Sequence, residues 1–329
     1  MKYVSRLIKN LILISIPLIL ICVYTFIYPM SYMAVEYPMW AEEKNYVNQP
    51  QKASNQASSP ATLIIGDSRA KSGIIPSELA EDGSVYNISI GGASTVEMYY
   101  AVRNYLKNHE APEKAFVIFA PYHFCELDNW NQTLYYNYLS LPELMEAETN
   151  ALKMQDKNIH YTGWLPDILS FKLRLPNKYL DAIYTSRLGQ NLNENREKYD
   201  SVRRDLGYTA FGEDEENNEV SYEVHCPSFD LSPMADHYYI KLLDTLKDAG
   251  VRVIVEQAPV NPASDEQITE EFREGYRSYL EKTTKDYPGI TVEKEIPVYD
   301  KNCFGDNNHL NRRGAEKYTA MIREKYRLT

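Results

Sequence analysis

A short apolar run at residues 61–66 ends at a glycine and is followed at once by an acidic residue and a serine. The letters there read Ala-Thr-Leu-Ile-Ile-Gly-Asp-Ser. A continuous apolar run of this length, closed by glycine, is typical of a strand buried on both faces of a parallel sheet. Ligands of open parallel sheets bind just outside the carboxyl ends of the strands. The run therefore predicts a parallel α/β fold with Ser68 in the functional crevice, and Gly66 permits a tight turn there.

Apolar runs and amphipathic segments alternate along the rest of the chain. We expect further strands at residues 84–90, 115–120, 251–255 and 290–296, and a long helix from Ser264 or Asp265 to about Tyr287. This order predicts a flavodoxin-like, doubly wound, mainly parallel sheet. Residues 124–231 are too many for a loop and show no clear strand periodicity, so they predict an inserted, mainly helical cap.

A nearly uninterrupted apolar stretch occupies residues 11–28. A helix over this stretch would be about 27 Å long, close to the roughly 30 Å of a hydrocarbon core. Basic residues precede the stretch and acidic residues follow it, namely Lys2, Arg6 and Lys9 on one side and Glu36, Glu42 and Glu43 on the other. The positive-inside rule then puts the amino terminus in the cytoplasm. A cleaved signal peptide is the alternative, but the run is longer than a usual signal and no Ala-x-Ala site follows it.

These features divide the chain into three parts. Residues 1–30 are predicted to be a cytoplasmic stub and a single-pass anchor in the cell membrane, residues 31–60 a juxtamembrane linker, and residues 61–329 an extracytoplasmic domain that contains the 124–231 cap. Aromatic residues of the linker are expected to form a belt at the level of the lipid headgroups, namely Tyr32, Tyr37 and Trp40.

Charge and composition exclude some classes of function. The formal net charge is -11 and no basic stripe stands out, which argues against a nucleic-acid partner. The four cysteines and six histidines match no metal-binding spacing, so we expect neither a metal nor a cofactor.

A serine hydroxyl is a poor nucleophile without a base and an orienting carboxylate. The sequence offers both near its end, where Asp306 and His309 stand in the segment Asp-Asn-Asn-His. The pairing of Gly-Asp-Ser near the start of the domain with Asp-x-x-His near its end resembles the SGNH, or GDSL, hydrolase superfamily. The resemblance implies an SGNH-hydrolase fold with Ser68 as nucleophile, His309 as general base and Asp306 as the residue that orients the imidazole.

Two further blocks bear on the oxyanion hole. In the resembled superfamily a glycine N–H of the second block joins the N–H of the serine, which implies Gly92 here, or Gly91 if the register differs by one; a plain strand-to-helix turn is the alternative. The third block is normally Gly-x-Asn-Asp, yet this chain has Ala-Pro-Tyr-His at residues 120–123. Losing one oxyanion donor costs about 3 kcal/mol of barrier. Either Tyr122 or His123 supplies the donor, or the site works with fewer, or hydrolysis is inefficient.

Several other polar residues are candidate substrate contacts. Asp67 and Arg69 flank the serine, while Gln257 and Asn261 follow the predicted fourth strand and also suit ordinary turn chemistry. Aromatic residues crowd the beginning of the cap and would either stack on sugar rings or form a packed subcore. These residues are Trp130, Tyr135, Tyr136, Tyr138, Tyr161 and Trp164.

In its departure from the third block, the chain resembles a divergent, membrane-anchored branch of the superfamily, the DltD-like and polysaccharide O-acetyltransferase-like proteins. That resemblance implies a serine acyltransferase or esterase that O-acylates or deacylates a cell-envelope polysaccharide or teichoic-acid-like polymer through an acyl-Ser68 intermediate, with a membrane-bound O-acyltransferase as partner. The alternative is a weak or inactive module of the same fold that binds the polymer or the membrane partner. A Ser-x-x-Lys reading of Ser68 to Lys71, as in penicillin-binding proteins, fails because the Lys-Ser-Gly that it needs elsewhere overlaps the serine at residues 71–73.

Overall fold

Five parallel strands form one sheet. The computed structural model describes residues 2–27, 36–50, 59–80, 82–156, 158, 184–185 and 188–328. Within them the sheet has the order β2-β1-β3-β4-β5, and every pair is parallel. The strands are β1 (Thr62–Gly66), β2 (Val85–Asn87), β3 (Lys114–Ile118), β4 (Arg252–Val255) and β5 (Thr291–Val292). This is the flavodoxin-like order, and its switch point, where the chain reverses direction across the sheet, lies between β1 and β3.

Helices surround the sheet and precede it. In chain order they are α1 (Lys2–Ile27), α2 (Tyr37–Asn48), α3 (Ser68–Gly73), α4 (Pro76–Leu79), α5 (Thr95–Asn108), α6 (Trp130–Tyr135), α7 (Leu141–Met154), α8 (Leu188–Arg204), α9 (Pro233–Asp248), α10 (Pro262–Asp265), α11 (Glu270–Asp286) and α12 (Arg312–Tyr326). Three short 3-10 turns lie at Pro121–Phe124, Tyr222–Val224 and Lys301–Cys303.

Apolar side chains cover both faces of the sheet. Leu63 and Ile65 point into one core with α5, α9 and α11, whereas Ile64 points into a second core with α3 and α12. Both faces are therefore buried, which explains the continuous apolar run of β1. The predicted α/β class, the parallel sheet and the winding on both faces are confirmed.

The structure gives a reason for a glycine at residue 66 that the sequence did not reveal. It pairs with Ile118 of β3, and a Cβ at residue 66 would lie 1.8 Å from the Ile118 carbonyl oxygen. Glycine thus allows β1 and β3 to approach closely at their carboxyl ends, immediately before Ser68.

Several predicted boundaries were wrong. The strand expected at residues 84–90 is regular only over β2, although the N–H groups of Ile88 and Ile90 still donate to β1 carbonyls. The strand expected at 290–296 is reduced to the two residues of β5. The long helix expected from Ser264 or Asp265 is split, because Thr269 caps a new helix by accepting a hydrogen bond from the N–H of Phe272.

The amino-terminal helix α1 is long and apolar enough to span a membrane. Its most apolar window is Tyr3–Leu20, with a mean hydropathy of 1.6 and no residue packed inside the molecule. The span predicted at residues 11–28 overlaps this window, and Tyr28 lies outside the described residues.

The segment predicted as a linker contains a packed helix. In α2, Met39, Trp40 and Val47 are at most 2% exposed, and Trp40 packs on Tyr136 and Tyr138 with ring centroids 5.5 and 5.3 Å apart. The headgroup belt is therefore wrong for Trp40, because its indole completes the core. Tyr32 lies outside the described residues.

The described part of the cap is helical in α6, α7 and α8 and mainly irregular from residue 205 to 231. Trp130, Tyr136 and Tyr138 are buried, as a packed subcore requires. Tyr161 and Trp164 lie outside the described residues, as does the side chain of Tyr135.

Candidate active site

Ser68 is the first residue of α3 and follows β1 at the switch point of the sheet. Asp67 precedes it as the cap of the helix, and its Oδ1 accepts a hydrogen bond of 2.9 Å from the N–H of Arg69. Ser68 itself is 8% exposed. The sequence folds this way because the tight strand end at Gly66 is followed directly by a residue that caps helices well.

Asp306 holds His309 through two hydrogen bonds and the preceding residue through a third. Its Oδ2 lies 2.8 Å from Nδ1 of His309, and its Oδ1 accepts hydrogen bonds of 2.7 Å from the N–H groups of Asn308 and His309. Burial would raise the pKa of Asp306, but these hydrogen bonds outweigh it and hold the pKa below its usual value. An ionised Asp306 requires Nδ1 to be the donor, which leaves Nε2 as the basic nitrogen of the imidazole.

The Nε2 atom of His309 is buried and has no hydrogen-bond partner among the described residues. Ser68 Oγ is therefore not hydrogen-bonded to it in this structure. Hydrogen bonds of this kind are often long in unliganded enzymes and tighten when substrate binds. A ring nitrogen without a hydrogen-bond partner is what His309 needs in order to accept a proton.

Side chains join the loops that carry these residues. The Arg69 guanidinium, next to Ser68, donates a hydrogen bond of 3.3 Å to Oδ1 of Asn308, next to His309. The Phe211 ring lies 4.7 Å from the His309 ring and packs against Gly91, where an added Cβ would come within 2.9 Å of the phenyl group. The turn that carries Ser68, the turn that carries Gly91 and the loop that carries His309 thus lie together at one edge of the sheet.

Gly92 adopts a left-handed backbone with φ of +75° and lies against Asn129. A Cβ at residue 92 would be 3.0 Å from both Cγ and Nδ2 of Asn129. Sequence reasoning missed Asn129. A polar residue at the start of α6, shortly after the altered third block, is the signal that could have found it.

His123 faces the inside of the protein. Its Nδ1 donates a hydrogen bond of 2.7 Å to Oδ2 of Asp67, which also accepts one of 2.6 Å from the N–H of Ala120. Its Nε2 lies 3.9 Å from Oε1 of Glu223. Burial would lower the pKa of His123, but the Asp67 carboxylate outweighs burial and raises it to about 9. Burial also raises the pKa of Asp67, yet His123 outweighs it and the net shift is downward.

Both ring nitrogens of His123 thus face carboxylates. Only Nδ1 is within hydrogen-bond distance of its carboxylate, so Tyr122 and His123 both remain candidates for the replacement donor. Tyr122 is half-buried, and its ring packs against Tyr222 at 5.8 Å.

Arg69 is a buried ion-pair partner of Glu223. Its Nη2 and Nε atoms lie 2.5 and 3.1 Å from Oε2 of that carboxylate, and both side chains are about 5% exposed. Burial would lower the pKa of Arg69, but Glu223 outweighs it and raises the pKa. Sequence reasoning missed Glu223 and Asn308. We call Asp67, His123, Glu223, Arg69 and Asn308 the buried polar network.

The two remaining candidate substrate contacts, Gln257 and Asn261, form hydrogen bonds within the protein. Gln257 accepts a hydrogen bond of 2.9 Å from the hydroxyl of Tyr276 and donates one of 3.1 Å to the carbonyl of Glu293. Asn261 is fully buried and caps α10. Both residues have the turn and packing roles that were the alternative reading.

Among the residues that the structure describes, no group of three or more His, Cys, Asp or Glu side chains is placed to hold a metal ion. No protein-family model matches this chain, and no curated protein matches it. The fold and the site geometry define the class: a parallel α/β protein with a serine after its first strand and an Asp–His pair in a loop near its end. An amino-terminal helix that is able to span a membrane precedes this fold in the chain.

Proposed function

We propose that this chain is a membrane-anchored, extracytoplasmic serine acyltransferase or esterase of the SGNH type. The observation that carries the proposal is the state of His309. Its Nδ1 is fixed by an ionised carboxylate at 2.8 Å, its Nε2 has no hydrogen-bond partner in the described part of the chain, and its loop is linked through Asn308 to the residue that follows Ser68. A histidine held in one tautomer with a free basic nitrogen is what activation of a serine needs.

The proposed reaction begins with proton transfer. His309 Nε2 takes the proton of Ser68 Oγ while the oxygen attacks an acyl carbonyl, and Asp306 stabilises the imidazolium that forms. The imidazolium then gives the proton to the departing oxygen, which leaves an acyl-Ser68 ester. In a transferase a polymer hydroxyl resolves this ester with His309 again as base; in an esterase water does so.

The oxyanion of the tetrahedral intermediate needs donors beside Ser68. In this proposal the N–H groups of Ser68 and Gly92 supply two of them. The amide of Asn129 supplies the third in place of the absent third-block asparagine, because its Nδ2 lies directly against Gly92. Donors fixed before the reaction stabilise developing charge at little reorganisation cost.

The proposed substrate is a cell-envelope polysaccharide or teichoic-acid-like polymer, and the proposed partner is a membrane-bound O-acyltransferase. The apolar α1 supports this location, with Lys2, Arg6 and Lys9 on the cytoplasmic side. A tether raises the effective concentration of the enzyme at a surface-bound substrate.

The test is covalent labelling of the full chain in detergent with a fluorophosphonate probe. We expect labelling of Ser68 that is lost in Ser68→Ala and His309→Ala and is retained in His237→Ala, a histidine on α9 away from the site. Absence of labelling in the parent chain would contradict the proposal. It would favour the alternative, a module that binds the polymer or the membrane partner without turnover, for which the missing Ser68–His309 hydrogen bond is the supporting observation.

A further inference from the structure

Helix α7 buries two glutamates and exposes three large apolar side chains. Glu143 and Glu148 are 8% and 3% exposed, whereas Leu141, Met145 and Leu152 are 56%, 47% and 59% exposed. The spacing of the three apolar residues puts them on one side of the helix, because residues four and seven positions apart share a face. We call these three residues the α7 stripe.

Hydrogen bonds fix this orientation. Glu143 accepts hydrogen bonds of 2.7 Å from both the N–H and the hydroxyl of Ser140, one of 2.6 Å from Arg103 and one of 3.1 Å from Asn104. Turning the helix to bury the stripe would break the two hydrogen bonds from Arg103 and Asn104, which belong to α5, whereas Ser140 caps α7 and would turn with it. The outward position of the stripe is therefore a stable property of the fold.

The outer face of α7 carries no carboxylate. Besides the stripe, its exposed residues are Pro142, Thr149 and Lys153. The neighbouring Glu146 is only half-buried, but it is paired with Lys241 at 2.6 Å. A leucine-rich and methionine-containing face without acidic groups, with a lysine at one end, has the chemistry of a helix that lies in a lipid interface.

The fold also puts the start of α7 near the point where the chain leaves the predicted membrane span. Glu36 and Tyr37, at the start of α2, both contact Tyr136 through a 3.4 Å hydrogen bond and a ring contact with centroids 5.4 Å apart. Leu141 follows Tyr136 by five residues and cannot lie more than about 18 Å from it along the chain. Glu36 follows Ile27 by nine residues and cannot lie more than about 32 Å from it along the chain.

We propose that the α7 stripe is a membrane-docking surface whose partner is the lipid bilayer itself. Leu141, Met145 and Leu152 insert among the headgroups and upper acyl chains of the same membrane that α1 spans. The inference rests on the proposed membrane anchoring and is independent of the proposed chemistry at Ser68. Docking at a second point fixes the orientation of the domain on the membrane, which a single short tether does not.

The test is the immersion depth of nitroxide labels on the full chain in lipid nanodiscs that contain no other membrane protein. Labels are placed singly at Met145→Cys and Val298→Cys, in a background where Cys22 and Cys226 are replaced by Ser. Val298 is the matched control because it is also 47% exposed. We expect the ratio of oxygen to nickel-chelate accessibility to be several-fold higher at residue 145 than at residue 298, and the same high ratio for Leu152→Cys.

Equal, water-like ratios at residues 145 and 298 would overturn the docking surface. So would spin–spin broadening at residue 145 with low accessibility to both reagents, because it would show that a second copy covers the stripe. Extraction with alkaline carbonate separates the two levels of the proposal. A chain that stays in the bilayer with a water-like label at 145 refutes the stripe alone, whereas a chain that is released refutes the anchoring as well.

Discussion

The imidazole of His123 donates a hydrogen bond of 2.7 Å from Nδ1 to Oδ2 of Asp67, the residue before Ser68. Asp67 uses its other oxygen to cap α3, so one carboxylate connects the serine turn after β1 with the turn after β3. His123, the last residue of the segment that departs from the third block, thus holds the turn that carries Ser68 through its hydrogen bond to Asp67. This relationship leads to a prediction about pH.

The stability of the protein should depend on the protonation of His123. Its pKa is about 9 in the folded protein, against about 6.5 in an unfolded chain. A raised pKa contributes stability that is complete below pH 6.5 and is lost as the pH rises through 9. The full effect corresponds to about 3 kcal/mol, at 1.36 kcal/mol per pH unit between the two values.

Comparison with His123→Gln isolates this contribution. The free energy of unfolding, measured with urea from pH 6 to 9.5, should favour the parent chain strongly at low pH and progressively less above pH 6.5. Burial also moves the pKa of Glu43 and of Lys71 to about 8, but both groups are common to the two proteins and cancel in the difference. A difference that stays constant over the whole range would contradict the assignment.

Glu223 should be a large contributor to stability. Glu223→Ala leaves the Arg69 guanidinium buried without its ion-pair partner, and the loss of one partner of a buried pair costs about 3–5 kcal/mol. Glu223→Gln should cost less, because an amide oxygen still accepts a hydrogen bond from Arg69. The measurement is the free energy of unfolding in urea.

Glu219→Ala is the matched control for Glu223, since it removes an exposed glutamate four residues earlier. It should change the free energy of unfolding by no more than about 0.5 kcal/mol. Similar effects of the two alanine substitutions would show that the buried polar network does not hold the fold together.

The sequence was sufficient to predict the parts of the fold that depend on neighbouring residues. The apolar run of β1 and the order of strands and helices are local patterns, and the structure has them. The Asp306–His309 pair was also predictable, because its members are three residues apart.

The parts that could not be predicted depend on residues far apart in the chain. Arg69 and Glu223 are separated by 154 residues, and nothing near Glu223 distinguishes it from the solvated acidic residues before it. Asn129 contacts Gly92 only because the start of α6 packs against the turn that carries this glycine. Helix α2 looked like a linker because Glu42 and Glu43 interrupt its apolar pattern. Inside the protein each of these buried carboxylates accepts one hydrogen bond, from the hydroxyl of Tyr86 and of Tyr138 respectively.

Gly92→Ala should damage catalysis more than stability. The new Cβ would lie 3.0 Å from the Asn129 amide, so the proposed oxyanion donors must move apart. Loss of one such donor typically lowers kcat about 10²–10³-fold, and Asn129→Ala should fall in the same range. The measurement is hydrolysis of p-nitrophenyl acetate by the full chain in detergent.

Gly83→Ala is the control for backbone strain. Gly83 has φ of +73°, close to the +75° of Gly92, but an added Cβ at residue 83 meets nothing within 4 Å. Both alanine variants should therefore lose about 1 kcal/mol of stability through the left-handed backbone, and only Gly92→Ala should lose activity. Equal activity in the two variants would place the oxyanion hole elsewhere.

Asp306→Asn tests the role of the carboxylate without changing its size. The amide no longer stabilises the imidazolium of His309 and allows Nδ1 to accept a hydrogen bond, which puts the proton on the wrong nitrogen. By analogy with other serine triads we expect kcat to fall by about 10⁴-fold with little change in KM, because Asp306 acts through His309 and does not touch substrate. Asp300→Asn is the matched control, since asparagine can still accept the hydrogen bond from the N–H of Asn302 that Asp300 accepts in the parent chain. Asp306→Asn with an undiminished kcat, in a protein as stable as the parent, would show that His309 is not the base that activates Ser68.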